Sequence, residues 1–361
     1  ENKLQKNTLK KFAVAGLSAA VALATGCSNS DNPDEGSALT TTPLSGVAID
    51  GYIAGATVYL DINNNGRRNG SEPFAETDPD GFFTTAKDGT NYCADDASIA
   101  QKVHCLKAVE LGSEVVLRTS GGMDIFTGEL FEGSLSTRVA VVDGVVENKI
   151  ISPLTSMLTD VVDASQRQNI LDAYGLNESH LELDFLVSGE FDANTTNAAI
   201  GFHKVVSIFA NVFDEKYEEI GSETSFPNST NGLIYKELAS AMGVSKLNNT
   251  SLTNAFNAIQ TAIEALYTTN EEEYPGDVLG SDKTTAISNA FKILGLVDNA
   301  IPLATTFVEA KSRVIGVEMV VKKMLDGDAD VDAAITDAED PDSTLYDALE
   351  AAAADSNIDV D

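Results

Sequence analysis

Gly55-Ala-Thr57-Val-Tyr-Leu60 leads directly into Asp61-Ile-Asn63-Asn-Asn65-Gly66-Arg67-Arg-Asn69-Gly-Ser-Glu72, and Pro73 closes the run. Residues 57–60 are β-branched, aromatic or aliphatic, which predicts a strand. The next twelve residues fit D-x-[DN]-x-[DN]-G-x5-E at every defined position, the spacing of a calcium loop. Oxygen-bearing side chains at loop positions 1, 3 and 5 point at one centre, and glycine at position 6 permits the sharp turn. The carbonyl of Arg67, Asn69 directly or through water, and both carboxylate oxygens of Glu72 would complete the shell. Of the five side-chain ligands only Asp61 and Glu72 are charged, so the expected affinity is weak, on the order of 10⁻⁴–10⁻³ M. The alternative is an Asn/Gly-rich hairpin turn without metal. A strand before the loop and a proline after it argue against a helix–loop–helix sensor.

Outward from this loop, residues 44–150 read as short strands separated by turns. Val47 and Ile49 alternate with small or polar neighbours, and Phe82-Phe83 and Val115-Val116-Leu117 are further apolar runs. Asp50-Gly51, Asp80-Gly81, Gly121-Gly122 and Asp143-Gly144 mark turns. The pattern predicts an antiparallel β-sandwich rather than alternating strands and helices. Asp78 or Asp80, in the turn after the loop, could add a carboxylate to the metal or serve only as turn residues. Cys93 and Cys105 enclose eleven residues. In an exported protein they are expected to form a disulfide, worth roughly 3 kcal/mol in the chain-entropy model. A metal or nucleophile pair of His104 with Cys105 is disfavoured, because neighbouring strand residues point to opposite faces.

The parts of this segment resemble the calcium-binding prealbumin-like and B-repeat domains of bacterial surface adhesins. Strand, calcium loop, Pro73 exit and Thr77-Asp78-Pro79-Asp80-Gly81 turn follow in the same order. Ser71 stands where those domains usually have glycine. Downstream, Gly121-Gly122-Met123-Asp124, Thr127-Gly128, Phe131, Gly133 and then Ser152-Pro153-Leu154-Thr155 resemble the segment that follows the loop in exported proteins of Gram-negative bacteria. The resemblance covers about residues 45–165. It implies a sandwich fold and a surface location, and says nothing of an activity.

The first residues read as a targeting segment. Lys3, Lys6, Lys10 and Lys11 precede residues 12–24, FAVAGLSAAVALA, an apolar run too short to span a bilayer. Leu23-Ala24-Thr25-Gly26-Cys27 resembles the lipobox of bacterial lipoproteins, with Ala24 where leucine is commonest. Residues 1–26 are therefore expected to be a signal peptide, Cys27 the lipidation site, and residues 27–43, rich in Ser, Asp and Thr, a flexible tether. Ser28 in place of Asp favours the outer membrane over the inner one.

Residues 151–325 read as an all-α domain. Ser152 is a candidate N-cap with Pro153 at the first helical position, and Leu154, Met157, Leu158, Val161 and Val162 recur at helical spacing. Phe202, Val205, Val206, Phe209 and Phe213 form a second stripe. Residues 233–242 end at Gly243. Leu252, Phe256, Ile259, Ile263 and Leu266 follow a Thr250/Ser251 cap, and Ile287, Phe291 and Leu294 lead to Gly295. A last helix is expected over residues 303–325. Residues 326–361 form an acidic tail with 13 acids and no base. Asp326, Asp328, Asp330 and Asp332, with Asp337 at position 12, sketch a second calcium loop. Val331 stands where glycine is needed, and a helix cap or a solvated tail is the alternative.

The chain of 361 residues carries 56 acids against 23 bases, a net charge of −33. Removal of the signal segment, with four lysines and one glutamate, would take this to −36. Such acidity opposes generic binding to nucleic acid or to an anionic membrane surface. Three histidines, three cysteines and no tryptophan leave little for a metal–His/Cys centre, a triad or a sugar-stacking cleft, and no G-x-S-x-G, H-E-x-x-H or Walker pattern occurs. The expected fold class is α+β multidomain, an antiparallel sandwich followed by helices. The expected function is that of a non-enzymatic, lipid-anchored, calcium-binding cell-surface protein that meets a protein or polysaccharide partner. An extracellular filament or outer-membrane assembly, in which copies self-associate, and an exported carbohydrate- or peptide-active enzyme are the competing readings.

Overall fold

The computed structural model describes residues 41–108, 111–131, 133–142, 146–186, 191–219, 230–269, 280–304, 306–328 and 330–340. The signal segment, Cys27, most of the tether and the end of the acidic tail lie outside them. Strands occupy the first part and helices the rest, an α+β arrangement.

The chain enters as β1 (Thr42–Ala48), then β2 (Ile53–Ala54) and β3 (Thr57–Leu60). The 61–72 loop separates β3 from β4 (Phe74–Glu76), and the Asp78–Gly81 turn separates β4 from β5 (Phe82–Phe83). A short helix α1 (Ile99–Lys102) precedes β6 (Lys107–Ala108), β7 (Glu114–Ser120), β8 (Met123–Asp124), β9 (Ser134–Ala140) and β10 (Val146–Ile151). One antiparallel sheet has the order β4-β3-β7-β9; in a second, β1 lies between β10 and β5 and also pairs with β6; β2 and β8 form a small third one. One pairing departs from the antiparallel expectation. β1 and β10 run parallel, with Val47 beside Ile150 and Ala48 beside Ile151. A parallel pair needs a long crossover, and nearly the whole strand region supplies it.

This pairing sets the junction with the helices. β10 passes straight into α2 (Pro153–Leu158), capped by Ser152 as the sequence suggests: its side chain accepts the Thr155 N–H, and Thr155 returns the bond. α2 is shorter than its apolar stripe, and Val162, 86% exposed, lies beyond it. α3 (Ala164–Ala173), α4 (Ala193–Glu219), α5 (Thr230–Ala241), α6 (Asn249–Thr269), α7 (Gly280–Ala300), α8 (Phe307–Leu325) and α9 (Val331–Glu339) follow. The α4 stripe is buried from Phe202 to Phe213, and Phe209 meets Phe256 of α6 edge-on at 5.1 Å. Such aromatic pairs add ~0.5–1.5 kcal/mol beyond burial.

Three details differ from the sequence reading. The cap of α6 is Asn248, whose side chain accepts from Thr250 and Ser251 N–H while Ser251 answers. α7 runs through Gly295, and its Phe291 is half exposed. The last long helix starts only at Phe307, behind a Thr306 cap. One apolar cluster contains Leu44, Ile53 and Leu135 from the strands together with Leu154, Phe202 and Val317 from the helices. The boundary drawn at residue 150 therefore falls inside a shared core.

Candidate metal centre

The 61–72 loop is held in place by its own backbone. Asp61 is 2% exposed; its Oδ1 accepts the Asn65 N–H at 3.0 Å and its Oδ2 the Gly66 N–H at 2.8 Å. Asn63 Oδ1 accepts from Asn65 N at 3.1 Å, and Asn65 Oδ1 from Arg67 N at 3.0 Å. Glu72, 5% exposed, closes the loop across its two ends: Oε1 takes the Ile62 N–H at 2.9 Å and Oε2 the Asn69 N–H at 2.8 Å. Gly66 has φ +74°, a conformation an L side chain adopts only under strain. Tyr59 anchors the turn by donating its hydroxyl to the Gly66 carbonyl at 3.0 Å. Burial pushes that phenol up to about 12, with Arg118 opposing the rise and the Asp61 and Glu72 carboxylates adding to it.

One side chain at the loop escapes the sequence motif. Arg118 stands opposite Tyr59 in the β3–β7 register, which brings its Nε to 2.5 Å from Asp61 Oδ2. Its second nitrogen holds Asn64 Oδ1 at 3.1 Å. Asp61 thus has a countercharge. Glu72 has none among the described ion pairs, although it is equally buried. A buried carboxylate satisfied only by neutral donors calls for a cation.

The donor set fits calcium. Every candidate is an oxygen, and an sp² oxygen that accepts one N–H keeps a second lone pair. That holds for Asp61 Oδ1, Asn63 Oδ1, Asn65 Oδ1 and both Glu72 oxygens. Among the described residues no three His, Cys, Asp or Glu side chains gather as a metal-holding group. The 61–72 loop has only two such side chains, so that observation does not bear on it.

The other expected ligands are placed differently. Asp78 is buried and organises its own turn: Oδ1 accepts from Asp80 N and Phe82 N, and Oδ2 from the Tyr92 hydroxyl at 2.6 Å. Asp80 is exposed. In the acidic segment Asp326 caps α8, and Asp328 accepts the Asp330 N–H and lies 3.8 Å from Lys323. Val331 is the first residue of α9, so the chain is helical where a calcium loop would still wrap. Asp332 pairs with Lys292 at 2.6 Å, and Asp337 sits well inside α9. Cys93 and Cys105 are bonded, with Cα atoms 5.0 Å apart. His104 meets the Glu76 carbonyl through Nδ1.

Sequence reasoning also missed a buried charge cluster at the junction. Asp50 follows β1, Asp124 ends β8, His203 and Lys204 lie on α4, and Glu318 lies on α8. His203 Nε2 is 3.2 Å from both Asp50 Oδ2 and the Ser207 hydroxyl. Ser and Asp therefore share one ring nitrogen, and the Ser207 hydroxyl also reaches the His203 carbonyl at 3.0 Å. A nucleophile relay needs them on opposite nitrogens. The only signal in the sequence was the Asp50-Gly51 turn. A Cβ at residue 51 would lie 2.1 Å from Asp124 Oδ1, so glycine is what lets that carboxylate rest on the turn.

No family model, curated protein or solved structure matches this chain.

Proposed function

We propose that this chain is a non-enzymatic surface lipoprotein of a Gram-negative bacterium. In this reading its strand half is a sandwich stiffened by calcium, Cys27 carries the lipid, and the helical half meets a partner, matrix or second copy. The observation that carries it is Glu72, a buried carboxylate that closes the loop without a cation of its own among the described residues. Asp61, Asn63, Asn65, the Arg67 carbonyl, Asn69 and Glu72 would hold the ion, which would neutralise Glu72 and tie the two ends of the loop together. The Cys93–Cys105 disulfide supports an oxidising compartment.

The test is thermal melting of the protein in 5 mM calcium and in EDTA, with Glu72→Gln beside it. At 5 mM, calcium stands about fivefold above a Kd of 10⁻³ M and stabilises by ~1 kcal/mol, more for a tighter site, which shifts the midpoint upward by a few degrees. Glu72→Gln should remove the calcium-dependent part of the shift. Equal midpoints in both buffers for the unaltered protein would sink the calcium reading.

A further inference from the structure

The junction cluster forms the floor of a cavity of about 550 Å³, within the range of small-molecule sites. Asp50, Asp124, His203, Lys204 and Glu318 line it at depth, with Ser207, Asn211 and Asn231 as further polar groups. Leu130, 70% exposed, and Leu325, 39% exposed, stand at the opening beside Glu129, and Val321, 1% exposed, lies deeper. The cavity has an acidic base and an aliphatic side.

Charges at the base do not balance. Asp50, Asp124 and Glu318 are three carboxylates. Lys204 pairs with Glu318 and lies 4.0 Å from Asp50, and Lys311 stands over the Phe126 ring on the Asp124 side. His203 is buried and held neutral, its pKa well below the usual value through desolvation and the Lys204 charge. Glu129 at the rim is paired with Lys322 at 2.9 Å. Three negative charges face two positive ones, a deficit of one cation. The hydrogen bonding is incomplete at the same place. Asp50 is 4% exposed and, among the described residues, its Oδ1 has no partner; neither does Nδ1 of His203 nor the hydroxyl of the buried Tyr235.

We propose that this cavity binds a primary alkylammonium group, its head on the Asp50 carboxylate and its stem against Leu130, Val321 and Leu325. A monovalent head restores neutrality and donates to the Asp50 carboxylate; Oδ1 itself is closed to water, so the head reaches it only as the floor shifts. A divalent metal fits less well, because the Lys204 ammonium sits among the carboxylates. Aliphatic walls suit a methylene stem, which loses water on entry. The inference gives the partner-binding part of the proposed function a chemistry and does not rest on calcium, since no residue of the 61–72 loop lines the cavity.

The pH dependence follows from the same groups. Burial pushes Asp50 up to about 6 against the pull of Lys204, and burial together with Asp50 does the same for Asp124. The surrounding groups are Glu129, His203, Lys204, Tyr235, Lys311, Glu318 and Lys322. Below about pH 6 the two aspartates take up protons, and affinity for a cation should fall.

The test is calorimetric or NMR titration of the full chain with n-pentylamine, and with n-pentanol as neutral isostere. Pentylamine should bind with a Kd on the order of 10⁻³ M and pentanol at least tenfold more weakly. Asp50→Asn should weaken pentylamine about tenfold, ~1.4 kcal/mol. Leu325→Arg, which leaves the floor intact and sets a cation at the mouth, should do likewise and carries the test if the first variant does not fold. Nα-acetyl-lysine methylamide identifies the source. Tighter binding than pentylamine assigns the site to a lysine side chain of a partner protein, and equal or weaker binding to a free alkylamine. Equal binding of the alcohol and the amine, no binding of the amine at about 20 mM, or full binding by a folded Asp50→Asn or by Leu325→Arg would overturn the proposal. Amine binding in a protein whose melting ignores EDTA would remove the calcium reading alone.

Discussion

Arg118 on β7 gives its Nε to Oδ2 of Asp61 at 2.5 Å, and the two side chains are 3% and 0% exposed. Water does not screen this pair, so removing one partner leaves a charge stranded. Arg118→Met should destabilise the protein by about 3–5 kcal/mol in EDTA. In millimolar calcium the loss should be smaller, because the metal would take over the countercharge. Urea denaturation in the two buffers measures both, and an equal loss would show that calcium does not reach Asp61.

The junction aspartates predict a pH trend of the opposite sign to ordinary acid denaturation. Asp50 and Asp124 have folded-state values of about 6, raised from the unfolded 3.8. Between those values the native state holds more protons than the unfolded one, so stability falls as pH rises. Their contribution is fully present below about pH 4 and lost by about pH 6–7. Asp50→Asn should therefore gain stability over the unaltered protein at pH 7.5 and lose that advantage at pH 4.5. Denaturant midpoints at the two pH values give the comparison, and an advantage that does not change with pH would contradict it.

What the sequence disclosed is divided by distance along the chain. The 61–72 loop, the Ser152 cap and the Cys93/Cys105 pair are each defined within thirteen residues, and the hydrogen bonds that build them lie inside that span. Arg118 sits 57 residues from Asp61 and carries no motif; only the β3–β7 register delivers it. His203 reaches Asp50 across 153 positions, from α4 to the turn after β1, and carries no motif either. Periodicity alone also overestimated burial. Val162 continues the α2 stripe but follows the end of that helix, and Phe291 continues the α7 stripe on a face left half exposed. The Thr250/Ser251 cap was misplaced because Asn248 competes for the same N–H groups and reaches two of them.

Cys93 and Cys105 close a loop that contains α1, and nothing apolar is buried by that helix. The crosslink rather than a local core orders this segment. Reduction, or the double Cys→Ala variant, should lower stability by roughly 3 kcal/mol. Limited proteolysis should then cut first between residues 93 and 105. Unchanged denaturation and an unchanged cleavage pattern after reduction would contradict this role.

The Ser152-Pro153-Leu154-Thr155 motif joins the two halves through polar contacts that are all buried. Ser136 of β9 donates its N–H to Ser156 Oγ at 2.7 Å, its carbonyl accepts from Thr155 Oγ1 at 2.8 Å, and its hydroxyl meets Thr159 at 2.9 Å. Ser136 is also the register partner of Arg118. A line of contacts therefore runs from Asp61 through Arg118 and Ser136 to α2, and gives the loop and the motif a common physical frame. Ser156→Ala would leave the Ser136 N–H buried without a partner, a loss of about 1–3 kcal/mol. Ser240→Ala removes a similar hydroxyl, but one exposed on α5 that bonds only the Lys236 carbonyl, and should stay within about 0.5 kcal/mol. Urea midpoints at constant slope separate the two. If both variants were equally neutral, α2 would be held to β9 by apolar packing alone.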